Sequence, residues 1–429
     1  MRTRTKLPES GVVPTRIAAV ILLWAPAAAV AHTPLQVPMP QSVPEAWDVV
    51  RQSAANVAEV VATNQLREVE PHVRNIGIGV RTIWDDARNA RNDDALAREV
   101  DRIFDAATRA ATAAGAGDVE EAAAAARALS GQVAAVAAKY PPAVADAAVY
   151  TCPMHPKEIA LDEAARCRLC NMRLIVRRIA ASATYTRPGE GTVRMTLATD
   201  GPLTVDEPAA VTVTLTDARD RPVTEQDLLV MHTRPIHLLI VDRGLTDYHH
   251  EHPEPVADAP GRYRFTFTPR RPGPYRVFAD VVPTSTGVQE YARADLPADT
   301  APVPITDREP TAVATVGGLR FALGQDGPLR ANHPTPMTLT VATANTGAPF
   351  ARLEPTMGAF AHLVGFHEDG ATVVHVHPLG REPDRATERG GPTLSFNFYP
   401  PAAGLIRLYA QVQVDGRQVF APFTLTVTP

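Results

Sequence analysis

The second half of the chain is a duplication. Asp200-Gly-Pro-Leu203 recurs as Asp326-Gly-Pro-Leu329, and Pro208 returns as Pro334. Phe265, Phe267, Gly273, Arg276 and Phe278 correspond to Phe396, Phe398, Gly404, Arg407 and Tyr409. A repeat of this length is one folding unit copied whole, so the architecture of the first copy constrains that of the second. Alternating Val/Thr runs such as Val211 to Thr216 and Phe423 to Val427, set between Pro/Gly turns, read as strands with one face on a core. Two copies, each with several short strands, predict tandem immunoglobulin-like β-sandwiches over residues 181–300 and 309–429.

The duplication carries a histidine signature. His237, His250 and His252 precede Pro253, and His362, His375 and His377 precede Pro378, so the spacing H-x12-H-x-H-P occurs twice. Ten of the 13 histidines fall between His232 and His377, and six of those obey this one rule. In the first copy, a hairpin turning near Arg243 and Gly244 sets His237 opposite His250, and His252 shares their face because residues two apart point the same way. Three imidazoles within cross-strand reach can hold a divalent metal, or else satisfy one another as core polar groups. Met231 and Met357 stand at matched positions before the first histidine of each set and read as thioether donors or as core. His232, His249 and Glu251 occur only in the first copy, where they could extend its site. His333 and His367, unique to the second, read as surface residues.

Ahead of the repeat, Ser42 to Tyr140 is alanine-rich, with apolar residues at helical spacing. Ser42, Pro44 and Glu45 form a capping box before Trp47, Val50, Ala54, Val57 and Val61. A second run carries Leu66 to Ile83, its helix beginning near Pro71. A third, with Leu96, Val100, Ile103 and Phe104, stops near Gly115 and Gly117, and Asp118 and Glu121 cap a fourth. Short connections predict an up-and-down four-helix bundle over residues 42–140. Its only histidine is His72, and no haem-attachment motif or inward Glu-x2-His pair occurs, so a structural or docking role is expected.

Residues 1–31 read as a signal peptide: basic Arg2, Arg4, Lys6 and Arg16, apolar Ile17 to Trp24, then Ala29-Val30-Ala31 as a cleavage site. This predicts a periplasmic or secreted protein with no transmembrane segment in the mature chain. Cleavage there makes His32 the amino terminus, either a bidentate copper chelate or a chance histidine in a tail. Lys+Arg 42 against Asp+Glu 47 leaves no positive excess to collect counterions from a nucleic acid, so that partner is excluded.

All three cysteines lie between Tyr150 and Leu174. Three thiols cannot close into disulfides within one chain, so they ask for a metal, a partner or a free thiol. Cys152-x2-His155 is followed after eleven residues by Cys167-x2-Cys170. Two such knuckles suit a tetrahedral site, and the thioethers of Met154 and Met172 favour monovalent copper beside the zinc that three thiolates and one imidazole accept.

The stretch resembles the short heavy-metal-binding domain, with its Y-x-C-P-M-H-P start and C-x2-C-x-M-x-L finish. The resemblance rests on Tyr150, Cys152, Pro153, Met154, His155, Pro156, Cys167, Cys170, Met172 and Leu174, within a module over 148–178. The usual Pro-Gly before the second cysteine pair is Ala164-Ala165 here, and the glycine after the last cysteine is Asn171, which tolerates a left-handed backbone. That family is found attached to copper-transporting P-type ATPases and to periplasmic adaptors of metal-efflux pumps. The histidine repeat is itself similar to modules of secreted bacterial proteins that accompany such domains.

The resemblance and the residues together lead to one expectation: an extracytoplasmic protein that binds copper, or alternatively zinc, and sequesters it or delivers it to a membrane transporter or efflux complex. The alternatives are a docking adaptor of an efflux system and a metal-dependent enzyme using the three-histidine sets. No Ser/His/Asp constellation, phosphate loop or H-C-H oxidase pattern supports the enzyme.

Overall fold

The computed structural model describes residues 37–181, 191–298 and 300–429, which belong to one compact unit. The expected signal peptide over residues 1–31 and His32 lie outside the described residues. Among those residues, no helix is long and apolar enough to cross a membrane.

The chain begins with helices α1 (Val43–Ala62), α2 (Val69–Asp85), α3 (Asp94–Gly115) and α4 (Val119–Ala137). The starts of α1, α3 and α4 are fixed by side chains that accept otherwise unpaired amides: Ser42 from Glu45, Asp93 from Leu96 and Asp118 from Glu121. Each helix buries one apolar stripe, including Trp47, Val50 and Val57 of α1, Val73, Ile76 and Val80 of α2, Val100 and Ile103 of α3, and Leu129 of α4. Phe104 departs from its expected stripe and remains 42% exposed. At Gly79 a Cβ would come within 2.7 Å of Val50 and 2.8 Å of the Ala46 carbonyl, so the close approach of α1 and α2 requires glycine.

The helical region is joined to the rest by polar side chains. Buried Arg177 pairs with buried Asp48 at 2.7 Å, and Gln52 accepts from the amide of Ile179. His72 meets the Ala181 carbonyl at 2.8 Å. The one histidine of the helical region thus contacts the chain that leads on from the cysteine module.

Three two-residue strands form the cysteine module: β1 (Tyr150–Thr151), β2 (Ile159–Ala160) and β3 (Ile175–Val176), in the order β2-β1-β3. The first repeat follows with β4 (Val193–Thr199), β5 (Ala209–Asp217), β6 (His237–Asp242), β7 (Tyr248–Glu251), β8 (Glu254–Pro255), β9 (Arg262–Phe267), β10 (Tyr275–Val281) and β11 (Glu290–Leu296). Its antiparallel sheets, β4-β5-β9-β8 and β11-β10-β6-β7, enclose a core including Val213, Phe267, Ile240 and Val277.

The second repeat has β12 (Val313–Val316), β13 (Leu319–Gln325), β14 (Thr335–Thr343), β15 (His362–His367), β16 (Val373–Val376), β17 (Thr393–Phe398), β18 (Gly404–Val414) and β19 (Arg417–Val427). Its sheets are β12-β13-β14-β17 and β16-β15-β18-β19, around Phe321, Leu339, Phe396 and Phe423.

One further cluster belongs to neither core. Leu239, Val241, Tyr248 and Phe278 of the first repeat pack against Val364, Phe366 and Tyr409 of the second. Tyr248 lies 5.2 Å from Phe366 and 5.1 Å from Tyr409 between ring centroids. The sheet that carries the histidines in each repeat therefore has two buried faces, one on its own core and one on the other repeat. All six residues of β6 and of β15 are buried in consequence.

Candidate metal centre

In the cysteine module the ligand atoms of Cys152, His155, Cys167 and Cys170 all lie within 4.8 Å of one another. Cys152 Sγ is 3.5 Å from Cys170 Sγ and 3.7 Å from His155 Nδ1, and Cys167 Sγ is 3.4 Å from that same nitrogen. Thiolates bound tetrahedrally at about 2.3 Å stand about 3.7 Å apart, so these separations suit a single ion. Asn171 takes the left-handed φ of +61° expected of the glycine it replaces. Met172 is buried with the cysteines, and Met154 packs against them.

Clustered sulfurs cannot all ionise without a cation. A hydrogen bond with Cys152 holds the Cys167 thiol well below its usual range; a hydrogen bond with Cys167 pushes Cys152 up to about 12, and one with Cys152 pushes Cys170 up.

The histidine triads each converge. The ligand nitrogens of His237, His250 and His252 lie within 4.8 Å of one another, as do those of His362, His375 and His377. His237 Nδ1 is 3.2 Å from His250 Nε2 and 3.1 Å from His252 Nε2, and His362 Nδ1 is 3.1 Å from His375 Nε2. Imidazole nitrogens bound tetrahedrally at about 2.0 Å stand about 3.3 Å apart.

The expected hairpin register is corrected by two residues. His250 pairs with Leu239, not His237, because the turn is longer: the Asp242 carboxylate accepts from the amides of Gly244, Thr246 and Asp247. An even shift leaves every side chain on its expected face, so the triad survives it.

Both triads lie on the faces where the repeats meet, which brings them together. Ring centroids of His250 and His375 are 5.8 Å apart, and those of His237 and His375 6.4 Å. The contact is reciprocal. Nδ1 of His375 meets Asp280 of the first repeat at 3.0 Å, and Nδ1 of His250 meets Gln411 Oε1 of the second at 2.8 Å. Asp280 pairs with His237 on β10 and β6, and Gln411 pairs with His362 on β18 and β15, so each occupies the equivalent place in its own repeat. Neither residue stood out in the sequence.

These bonds fix the tautomers. His237 Nε2 faces the Met231 carbonyl at 3.0 Å and His362 Nε2 faces the Thr356 carbonyl at 2.9 Å, so in each neutral ring Nε2 carries the proton and Nδ1 is bare. His250 and His375 donate from Nδ1 and leave Nε2 bare. In both triads the two facing nitrogens are therefore lone pairs with no proton between them. Burial holds His237, His250, His362 and His377 below the ordinary histidine range, which keeps these rings neutral. Burial alone would raise the Asp280 carboxyl, but the hydrogen bonds it accepts, first from His375 and also from Gln289, outweigh that and hold it low. Among the described residues neither ring nitrogen of buried His377 has a hydrogen-bond partner.

The extra histidines fall differently from their sequence assignments. His232 does not extend the first triad: its ring lies 3.8 Å from that of His377. The isolated pairs Met231 with Arg234 and Thr356 with Ala359 make His232, not Met231, the structural partner of Met357, and both take left-handed φ values of +48° and +47°. His249 and Glu251 alternate onto the opposite face of β7, where His249 meets Asp247 at 3.0 Å. His333 is exposed as expected, whereas His367 is buried: its Nε2 faces the Ala403 carbonyl and its Nδ1 accepts from the Asp369 amide.

The fold and these ligand groups define a protein of two facing β-sandwiches with an appended metal-binding module. The heavy metal binding domain matches residues 149–175, where the cysteine cluster lies. A domain of unknown function, DUF8832, matches residues 188–296 and again 314–429, which together make up more than half of the chain. The chain belongs to the DUF8832 family.

No curated protein matches it. Among solved structures, Escherichia coli alpha-2-macroglobulin activated by porcine elastase is 15% identical with a TM-score of 0.18, over 55% of this chain and 20% of its own. A putative membrane anchored protein from Corynebacterium diphtheriae is 7% identical with a TM-score of 0.17, over 55% and 59%. This chain thus spans about a fifth of the first and less than two thirds of the second, and likenesses this faint carry no argument.

Proposed function

We propose that the protein is an extracytoplasmic heavy-metal carrier, with copper as its cargo and zinc the alternative, which sequesters the ion or hands it to a membrane transporter or efflux complex. The observation that carries this reading is the pair of bare nitrogens, His362 Nδ1 and His375 Nε2, held 3.1 Å apart by outer partners that take up both protons. Lone pairs so placed repel unless a cation lies between them. The carboxylate behind His375 is the outer partner that metal-bound histidines characteristically have.

Cys152, Cys167 and Cys170 with the thioethers of Met154 and Met172 suit Cu(I), and the imidazole sets accept Cu(II) or zinc. The reading is of a binder and not an enzyme: His362 and His375 are 0% and 1% exposed, whereas a catalytic metal needs a position open to substrate. Within it, residues 1–31 direct export, 42–140 form a four-helix bundle, 148–178 the metal module, and 181–300 and 309–429 immunoglobulin-like sandwiches.

Metal analysis of the reduced protein purified from copper-supplemented and from zinc-supplemented cells tests the proposal. More than one equivalent is expected. Serine at the three cysteines removes one equivalent, and alanine at His362, His375 and His377 removes another. Wild-type protein free of copper and zinc overturns it.

A further inference from the structure

The cysteine module and the histidine cluster are physically joined by one dipeptide. Met231, a first-repeat residue, packs against the core formed by Cys152, Cys167, Cys170 and Met172. Its neighbour His232 lies against His377, with the two rings 3.8 Å apart and 30° from parallel. From there His232 is 6.1 Å from His375, 6.2 Å from His362 and 6.2 Å from His237, so it stands where the two triads meet.

His232 and His377 line a cavity of about 230 Å³, and the loop on its other wall is tied to the cysteine module. Asn171 donates to the Gly380 carbonyl at 2.8 Å, and Arg166 pairs with Glu382 at 3.0 Å. The backbone is strained to achieve this placement. His232 and Thr233 take consecutive left-handed φ values of +48° and +75°, a conformation that a β-branched residue resists, while the second repeat has glycine at the later position with φ of +77°.

Resting on the reading of both clusters as metal sites, we infer that Met231 and His232 form a relay that passes a soft monovalent cation between the Cys152/His155/Cys167/Cys170 cluster and the His362/His375/His377 triad. Transfer is by ligand exchange. As a bond from the ion to a cysteine sulfur breaks, one to the Met231 thioether forms; His232 then displaces the thioether, and His377 displaces His232. The ion keeps its single positive charge and no electron moves. Each thiolate left behind takes one proton from solvent, and the thioether and imidazoles, being neutral donors, neither gain nor lose one. His377 suits the receiving end because neither of its nitrogens is engaged elsewhere in the protein.

The test uses the full chain saturated with Cu(I) under anaerobic conditions, with the equivalents counted first. An excess of a bulky, coloured Cu(I) chelator then withdraws the ions, and the rate of its colour change is followed. The wild type is expected to show a fast phase from the cysteine module and a slow phase from the buried triad. Met231→Leu, which keeps the bulk, and His232→Phe, which keeps the ring, should each slow the second phase at least tenfold. The total equivalents and the first phase should stay as in the wild type. Cys167→Ser with Cys170→Ser should also slow the triad's release, because its exit passes through the module. A second phase unchanged in all three variants overturns the relay while leaving the metal sites standing. A wild type that loads no Cu(I) at the histidines also overturns the relay, whereas the carrier reading falls only if the protein holds neither copper nor zinc.

Discussion

Asp280 of the first sandwich and His375 of the second meet at 3.0 Å in a contact where both side chains are buried, 5% and 1% exposed. Its counterpart in the other direction is Gln411 with His250 at 2.8 Å. The two contacts are geometrically alike and chemically different. A carboxylate behind an imidazole raises its basicity and stabilises positive charge on a bound ion, and an amide only orients it. Gln289 reinforces the asymmetry by donating to the other Asp280 oxygen at 2.6 Å, and the Gln289 amide itself donates to the Pro153 carbonyl of the cysteine module. The second triad is thus the stronger candidate of the two.

Replacing Asp280 by Asn keeps the shape and removes the charge. Affinity for copper or zinc at the second triad should fall by about 10–100-fold, the usual cost of losing an outer-sphere partner. Competition titration against a chromophoric chelator reads it. The same titration of Gln411→Ala should weaken the first triad and by a smaller factor. Equal losses at both would remove the distinction between carboxylate and amide.

The buried pair that joins the helical region to the module has its own consequence. Arg177 and Asp48 are 6% and 9% exposed along their side chains, and Arg177 also donates to the Glu45 carbonyl at 3.1 Å. Asp48→Ala leaves the guanidinium buried without its anion, which should cost about 3–5 kcal/mol. Urea unfolding, followed by tryptophan fluorescence, to which Trp47 and Trp84 of the helical region contribute, measures it. A loss below about 1 kcal/mol would place the pair among exposed ion pairs in effect.

The sequence made the cysteine module and the two histidine sets visible because their spacing is local: ligands two or three residues apart lie on one turn or one strand face. The strand pattern also distinguished one buried face from two, for Ala209 to Asp217 alternates while His237-Leu-Leu-Ile-Val241 does not. That unbroken run was the available sign that the histidine sheets pack on something besides their own core. What packs there was not legible. Asp280 and His375 are 95 residues apart and Gln411 and His250 are 161 apart, and no local period connects such pairs. The place of His232 beside His377 is illegible for the same reason, since the triad nearer to it in sequence is not the one its ring packs against.

Metal-free protein should lose stability in mild acid. Burial lowers His252 to about 4 and His232 to about 3, against about 6.5 in an unfolded chain. Between these values and about 6.5 the unfolded state binds more protons than the folded one, so unfolding is favoured as pH falls through that window. The stabilisation is complete above about pH 6.5. Thermal unfolding with chelator present should show Tm level from pH 8 to 7 and falling steadily from pH 6.5 to 4. A Tm independent of pH across that range would mean that these rings are not buried as neutral imidazoles.

Thr233 offers the last measurement, because its strain separates stability from the position of His232. A threonine at φ +75° carries an unfavourable contact of its Cβ with the backbone, a penalty of about 1–2 kcal/mol that glycine avoids. Glycine loses more chain entropy on folding, by up to about 1 kcal/mol, which offsets part of the gain. Thr233→Gly should therefore stabilise the protein by several tenths of a kcal/mol to about 1 kcal/mol in urea unfolding, and bring the first repeat to the residue that Gly358 already supplies in the second. Lower stability in the variant would show that the threonine side chain holds more by its contacts than its backbone costs.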